Sequence, residues 1–309
     1  MRNHLAYVVT LAVAATGAVL RAQHPAPSVA HEALQRQVLL DRAGFSPGEL
    51  DGQPGSNTTR ALAAYKHAHQ AATGTPDDAA LRGRPRGHAT DTLVRYTITM
   101  QDVAGPYMEI PDDMAAKAEL KSLGYASMME ALGERFHTAP GLLLALNRRV
   151  TFSAGAVVSV PNVEVGGAPG PAAAARVVVS KSASSLTAFD GADRLIFFAP
   201  VTSGSEHDPL PIGSWTITAV LRNPTYNYNP DLFWDAKPGQ VKAQLPAGPN
   251  GPVGVVWMDI SKENYGLHGT PEPSQIGHST SHGCVRLTNW DASRLASLVK
   301  KGTPVVFVE

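Results

Sequence analysis

The amino-acid sequence predicts a multidomain α+β protein. It has a small helical N-terminal domain, a small α/β module, and a mainly β C-terminal domain with one late helix. Three observations lead there. From His31 to the linker at 74 the apolar residues recur at helical spacing. Two stretches rich in Gly, Pro and small or polar residues, 74–92 and 166–175, read as linkers. After residue 174, short runs of β-branched and aromatic residues alternate with turns. The chain of 309 residues is long enough for two or three domains, and 43% of it is hydrophobic, so a core can be buried. Its 28 Gly and 24 Pro call for many turns without a collagen or low-complexity pattern. The 26 basic and 26 acidic side chains cancel, which argues against nucleic acid as a partner.

The N-terminus, MRNHLAYVVTLAVAATGAVLRAQHPAP, carries Arg2, an apolar run from Leu5 to Leu20, and the small residue Ala22. This is the pattern of a secretory signal peptide over 1–22, and the run is short for a membrane span. Leu20 stands where a small residue is preferred for cleavage, so an uncleaved N-terminal membrane anchor stays open. The only cysteine is Cys284, far from the cleavage point, which excludes lipidation there. It also leaves no CxxC or Cys/His cluster for structural zinc.

The first domain is expected over 31–84. Leu34, Val38 and Leu39 share a helical face. GFSPGELDGQPG (44–55) is a dense turn. A second helix starts near Asn57–Thr59 and presents Ala61, Leu62 and Tyr65. The second module is expected over 93–165. LVRYTITM alternates as a strand, and SMMEALGERFHTAPGLLLALN (127–147) reads as two short helices broken at Thr138–Pro140. VTFSAGAVVSVPNV reads as a strand or hairpin. The third domain, 174–309, holds the strands RVVVSKSASSLTAF, DRLIFFAPV, GSWTITAV and VGVVWMDI and a final PVVFVE. Between the last two lies a helix that Thr288 or Asn289 can cap, with Leu295, Leu298 and Val299 on one face.

The chemistry concentrates in HGTPEPSQIGHSTSHGCVR (268–286). A thiolate is the competent nucleophile, and a thiol near its ordinary pKa gains from a neighbouring base. His268 and His282 are both candidates. His282 lies two residues before Cys284, on the same side of an extended strand. His268 lies sixteen residues before it, across a loop that a hairpin could close. Gly283 lets the backbone approach a substrate carbonyl, and amides near 282–284 could form an oxyanion hole. An inert buried cysteine beside ordinary loop histidines fits the same residues.

The words HGT (268–270), Ile276-Gly277 and SHGCVRLTNWD (281–291) resemble the signature of the YkuD-type L,D-transpeptidase catalytic domain. LPIGSWTI (210–217) and GPNGPVGVVWMDISKENYGLHG (248–269) are similar to that family's upstream words. The resemblance implies Cys284 as nucleophile and His268 as general base. It gives the Gly269 carbonyl the task of orienting the imidazole, and the Gly283 and Cys284 amides that of the oxyanion hole. Ser281 and Arg286 match motif positions at the substrate, and His282, where other members carry different side chains, is assigned substrate contact or electrostatic support. Arg286 has two open roles, gripping a substrate carboxylate or holding the loop by a buried ion pair. Asn289 and Asp291 read as structural. LQRQVLLDRAGFSPGELDG with TTRALAAY resembles the small helical peptidoglycan-binding domain, and 93–165 is similar to a LysM glycan-binding module with a long insert at 101–126. Together these imply an exported enzyme of the periplasm or cell wall, acting on peptidoglycan stem peptides and glycan strands. It would form 3→3 cross-links without a metal or organic cofactor, with carbapenems as inhibitors. An L,D-carboxypeptidase, attachment of a protein to the wall, and a non-catalytic wall-binding protein are the alternatives. The long aromatic segment 221–247 departs from the pattern. It is either a lid or substrate wall, or a packed loop.

Overall fold

The computed structural model describes residues 29–73, 91–163 and 174–309. The expected signal peptide lies outside the described residues, as do 74–90 and 166–173 of the expected linkers and the last two residues, 164–165, of the expected second module. The linker ends that are described are packed rather than free: Thr92 and Ala174 are buried.

Helix α1 (Val29–Ala43) and helix α2 (Ser56–Thr73) form the N-terminal pair. α1 ends where Gly44 takes φ 92°, a left-handed conformation that glycine adopts without steric cost. The buried face is Leu34, Val38 and Leu40, while Leu39 is only half-buried. The 44–55 turn does more than reverse the chain. Phe45 packs edge-on against Tyr65 at 5.4 Å and joins a core that includes Phe198 of the third unit.

The second unit runs β1 (Leu93–Thr97), α3 (Met100–Ala104), α4 (Met114–Ala118), α5 (Met128–Arg135), α6 (Pro140–Leu146) and β2 (Val157–Pro161). The first strand is shorter than its sequence pattern, because Thr99 caps α3 by accepting the Asp102 amide. The expected helix pair is α5 and α6, and the 101–126 insert contributes α3 and α4. β1 and β2 pair antiparallel, Leu93 opposite Pro161 and Thr97 opposite Val157. Asn147 ties α6 to β2 by donating to the Ser159 carbonyl and accepting its amide, at 2.8 and 2.7 Å.

The third unit is built on one nine-stranded sheet. Its strands are β3 (Arg176–Ser180), β4 (Ser185–Phe189), β5 (Leu195–Pro200), β6 (Thr202–Ser203), β7 (Gly213–Arg222), β10 (Val256–Ile260), β11 (Gly266–His268), β12 (Val285–Arg286) and β13 (Pro304–Val308). The order is β5-β4-β3-β13-β7-β10-β11-β12-β6. β5 and β6 are one residue apart in sequence yet lie at opposite edges, so the sheet must curl until its edges nearly meet. Alternate residues such as Val177, Val179, Ile217, Met258, Val305 and Phe307 point into the enclosed core. Helix α7 (Asn289–Leu298) covers it with Ala292, Leu295 and Leu298. A small hairpin, β8 (Tyr226–Tyr228) with β9 (Ala243–Leu245), projects from this unit.

The three units are fused. The 44–46 segment pairs with β5: Ser46 donates to the Phe198 carbonyl at 2.8 Å and Phe198 to the Gly44 carbonyl at 2.9 Å. An otherwise open sheet edge is thereby covered. In the second unit, Leu123 exchanges backbone bonds with Ala247 and Asn250 and packs with Tyr228 and Leu245. Among the described residues, no helix is long and apolar enough to cross a membrane.

Candidate active site

β10 and β11 are antiparallel neighbours, with Trp257 opposite His268, and β12 lies parallel on the other side of β11. This register carries His268 and Cys284 to one cavity of about 520 Å³. Trp257 stacks on the His268 ring at 5.4 Å, with 23° between planes. His268 is buried, and its Nδ1 is bonded to the Gly269 carbonyl at 2.7 Å. Since a carbonyl only accepts, Nδ1 carries the proton and Nε2 is left as the basic nitrogen. Desolvation pushes the imidazole down to about 3; the Arg286 charge adds to this, and the Gly269 bond opposes it.

Cys284 is half-buried, and its thiol donates to the Asn264 carbonyl at 3.8 Å. Burial pushes the thiol above its ordinary value. The Gly266 amide and the Arg286 charge pull it back without cancelling the rise. Both shifts favour uncharged forms, so the resting pair is thiol and neutral imidazole.

Gly283 has φ 98°, and a Cβ there would meet the Tyr265 ring at 2.6 Å. Both the backbone and the neighbour therefore require glycine before the cysteine. Ser281 is buried, with its hydroxyl engaged inside the protein: it donates to the Cys284 carbonyl at 2.6 Å and accepts the Gly204 amide at 2.8 Å. Expected at the substrate, it instead holds the turn that presents the cysteine. His282 lines the cavity, and its Nε2 meets Asp235 at 2.9 Å beside Phe233. Arg286 also lines the cavity. Among the described residues no carboxylate pairs with it, which leaves a buried ion pair without a partner.

The 221–247 segment supplies a cavity wall through Tyr226, Tyr228, Phe233 and Asp235. Burial, with the Cys284 charge next, holds the Tyr226 phenol up at about 12. Trp234 is exposed, stacked on His207 and donating to Asp208. Sequence reasoning passed over Trp257, Asn264 and Tyr265. The one available signal was the alternation through VWMDI and the short turn to YGLH, which sets these residues opposite or beside the histidine. Among the described residues, no three His, Cys, Asp or Glu side chains converge as a metal-binding group.

Comparison with known proteins gives the family. Residues 174–307 match the sequence model of the YkuD L,D-transpeptidase catalytic domain. The chain is 37% identical over 109 residues to YkuD of Bacillus subtilis, which is named as an L,D-transpeptidase. That match covers 32% of this chain and 63% of the relative's length. It is 30% identical over 180 residues to YkuD of Bacillus licheniformis, covering 57% of this chain and 91% of that protein. L,D-transpeptidase 3 of Mycobacterium tuberculosis, solved with a faropenem-derived adduct, aligns with a TM-score of 0.36 at 20% identity, over 52% of this chain and 77% of that one. With its third unit matched by the family model and a relative aligned over nearly all of its length, the chain belongs to the L,D-transpeptidase family.

Proposed function

We propose that this protein is an exported peptidoglycan L,D-transpeptidase that works through a Cys284 acyl-enzyme. The observation that carries the reading is the His268 imidazole, held through Nδ1 by the Gly269 carbonyl with Nε2 basic, in the same cavity as the only thiol. The substrate is the tetrapeptide stem. Cys284 leaves the Asn264 carbonyl and gives its proton to His268 Nε2, and the sulfur attacks the carbonyl of the third stem residue. The Gly283 and Cys284 amides stabilise the oxyanion. As the C–N bond breaks, His268 returns the proton to the departing D-alanine amine, leaving a thioester. The side-chain amine of a second stem then attacks, His268 takes its proton, and the thiol is released as the 3→3 bond forms. Arg286 and His282 grip the donor stem.

The helical pair and the second unit place the enzyme on the wall, as a peptidoglycan-binding domain and a LysM-like module. The Bacillus licheniformis match supports a shared second unit, because 57% of this chain exceeds the length of the third unit alone. Carbapenems acylate the same thiol in this reading and so inhibit the enzyme.

The test is intact mass after incubation with imipenem, wild type beside Cys284→Ala. An adduct on the wild type alone is expected. Tetrapeptide muropeptides then identify the acceptor: dimers mean cross-linking, tripeptides mean hydrolysis. Folded wild type that takes up no imipenem and converts no muropeptide would remove the proposal in favour of a wall-binding protein.

A further inference from the structure

The second unit reaches the catalytic histidine through two side chains. Asn289, the first residue of α7, is buried. Its Oδ1 accepts the Val255 amide at 3.1 Å, and its Nδ2 donates to the Pro249 carbonyl at 3.2 Å. These partners leave no freedom to flip the amide: an N–H must face oxygen, and a carbonyl must face NH₂. The same Nδ2 donates to Glu134 Oε1 at 3.1 Å, and Glu134 belongs to α5 of the second unit.

Asn289 Oδ1 also lies against two glycines. A Cβ on Gly254 would meet it at 1.9 Å, and a Cβ on Gly269 at 2.2 Å. Neither glycine could carry a side chain while the oxygen stays there. Gly269 is the residue whose carbonyl holds His268 Nδ1. Its own amide donates to Val256 at 3.1 Å, one residue beyond the amide that Asn289 accepts. The Asn289 side chain is thus wedged behind the peptide that orients the imidazole.

We propose that Asn289 is a positioning residue for His268, and that Glu134 of the second unit holds the Asn289 amide. The second unit is then part of the frame of the catalytic histidine, in addition to any wall binding. The kinetic side of this inference rests on the acyl-transfer reading above. The tautomer of His268 does not, so the two can fail separately.

The experiment compares wild type, Asn289→Ala, Glu134→Ala, Glu134→Gln and the Asn289→Ala/Glu134→Ala double variant. Four quantities are read: melting temperature, the maximal rate of imipenem acylation, its half-saturation, and the His268 tautomer by ¹⁵N NMR. Asn289→Ala should lower the maximal rate about tenfold, as expected for a misplaced base, with half-saturation changed less than about twofold. His268 should shift from the pure Nδ1–H tautomer to a mixture. Glu134→Ala should act in the same direction. Glu134→Gln, which keeps a side-chain acceptor, should lose less. In the double variant Glu134→Ala should add little, since coupled residues are not additive. An unchanged tautomer and rate in folded Asn289→Ala overturns the role of Asn289. If that variant does not fold, the Glu134 pair decides: Ala equal to Gln, with a pure tautomer in both, overturns the inference. Full additivity in the double variant overturns the link between the units. Wild type without an imipenem adduct but with a tautomer that responds to Asn289 sinks the acyl-transfer reading alone.

Discussion

At the scale of single residues, the site is shaped by what burial does to charge. Burial holds His268 at about 3, so the imidazole rests neutral, with its proton on Nδ1 and Nε2 free. The Cys284 thiol is raised, so it is not a standing thiolate. Alkylation of Cys284 by iodoacetamide should therefore keep rising past the ordinary cysteine pKa, with no plateau at neutral pH. A plateau below pH 7 would indicate a resting thiolate–imidazolium pair and contradict this picture. Gly283 admits no side chain, given φ 98° and the Tyr265 ring at 2.6 Å from a Cβ. Gly283→Ala should displace the cysteine and slow imipenem acylation about 100-fold, the usual effect of an ångström-scale misplacement. Stopped-assay rates beside a melting curve would separate this from unfolding.

At the scale of elements, α7 and the cavity wall matter most. Thr288 caps α7 by accepting the Asp291 amide, and Asp291 accepts both the Thr288 and the Ser46 hydroxyls at 2.8 Å. One buried carboxylate thereby serves the helix start and the N-terminal pair together. Thr288→Ala should cost about 1–2 kcal/mol, for the lost cap and an Asp291 oxygen left short of a donor. Denaturant unfolding would measure it. The 221–247 segment meets the turn that presents Cys284 through the His282–Asp235 pair at 2.9 Å. The sequence left that segment open between wall and packed loop, and its side chains here do both. Tyr228 joins Leu123 and Leu245 in a small core while also lining the cavity.

At the scale of the whole molecule, the three units share cores and carboxylates. Glu49 of the first unit and Glu134 of the second both sit at about 7, raised chiefly by desolvation. They line a common cleft with Trp290 of the third. A carboxyl whose folded pKa lies above its unfolded value binds protons more tightly when folded. Its ionisation destabilises the fold above about pH 7, and that cost is relieved as pH falls towards 4.5. His268 works in the opposite sense, losing stability as pH falls from 6.5 towards 3. Glu49→Gln should thus raise the melting temperature at pH 8 by a few degrees and do little at pH 5. Equal shifts at both pH values would refute the assignment. A fragment of 174–309 alone should expose Phe198 and the β5 edge, and should melt lower and bind a hydrophobic dye more than the full chain.

The sequence by itself determined the order of helical, α/β and β units and the family. The HGT and SHGCVR words also named Cys284, His268 and Gly283. These depend on local periodicity, turn residues and short-range spacing, all of which are written along the chain. Only the tertiary structure decided what faces what. That Ser281 turns inward to Gly204, that Trp257 stacks on His268, that Tyr265 fills the space beside Gly283, and that Glu134 meets Asn289 are contacts between distant segments. Strand register and the curl of the nine-stranded sheet set them, and neither has a local signature in composition or spacing. The same holds for the linkers. Pro- and Gly-rich stretches suggest separate beads, yet Phe45 against Phe198 and Leu123 against Leu245 are apolar surfaces that lower their free energy by meeting, and that drive joins the units into one body.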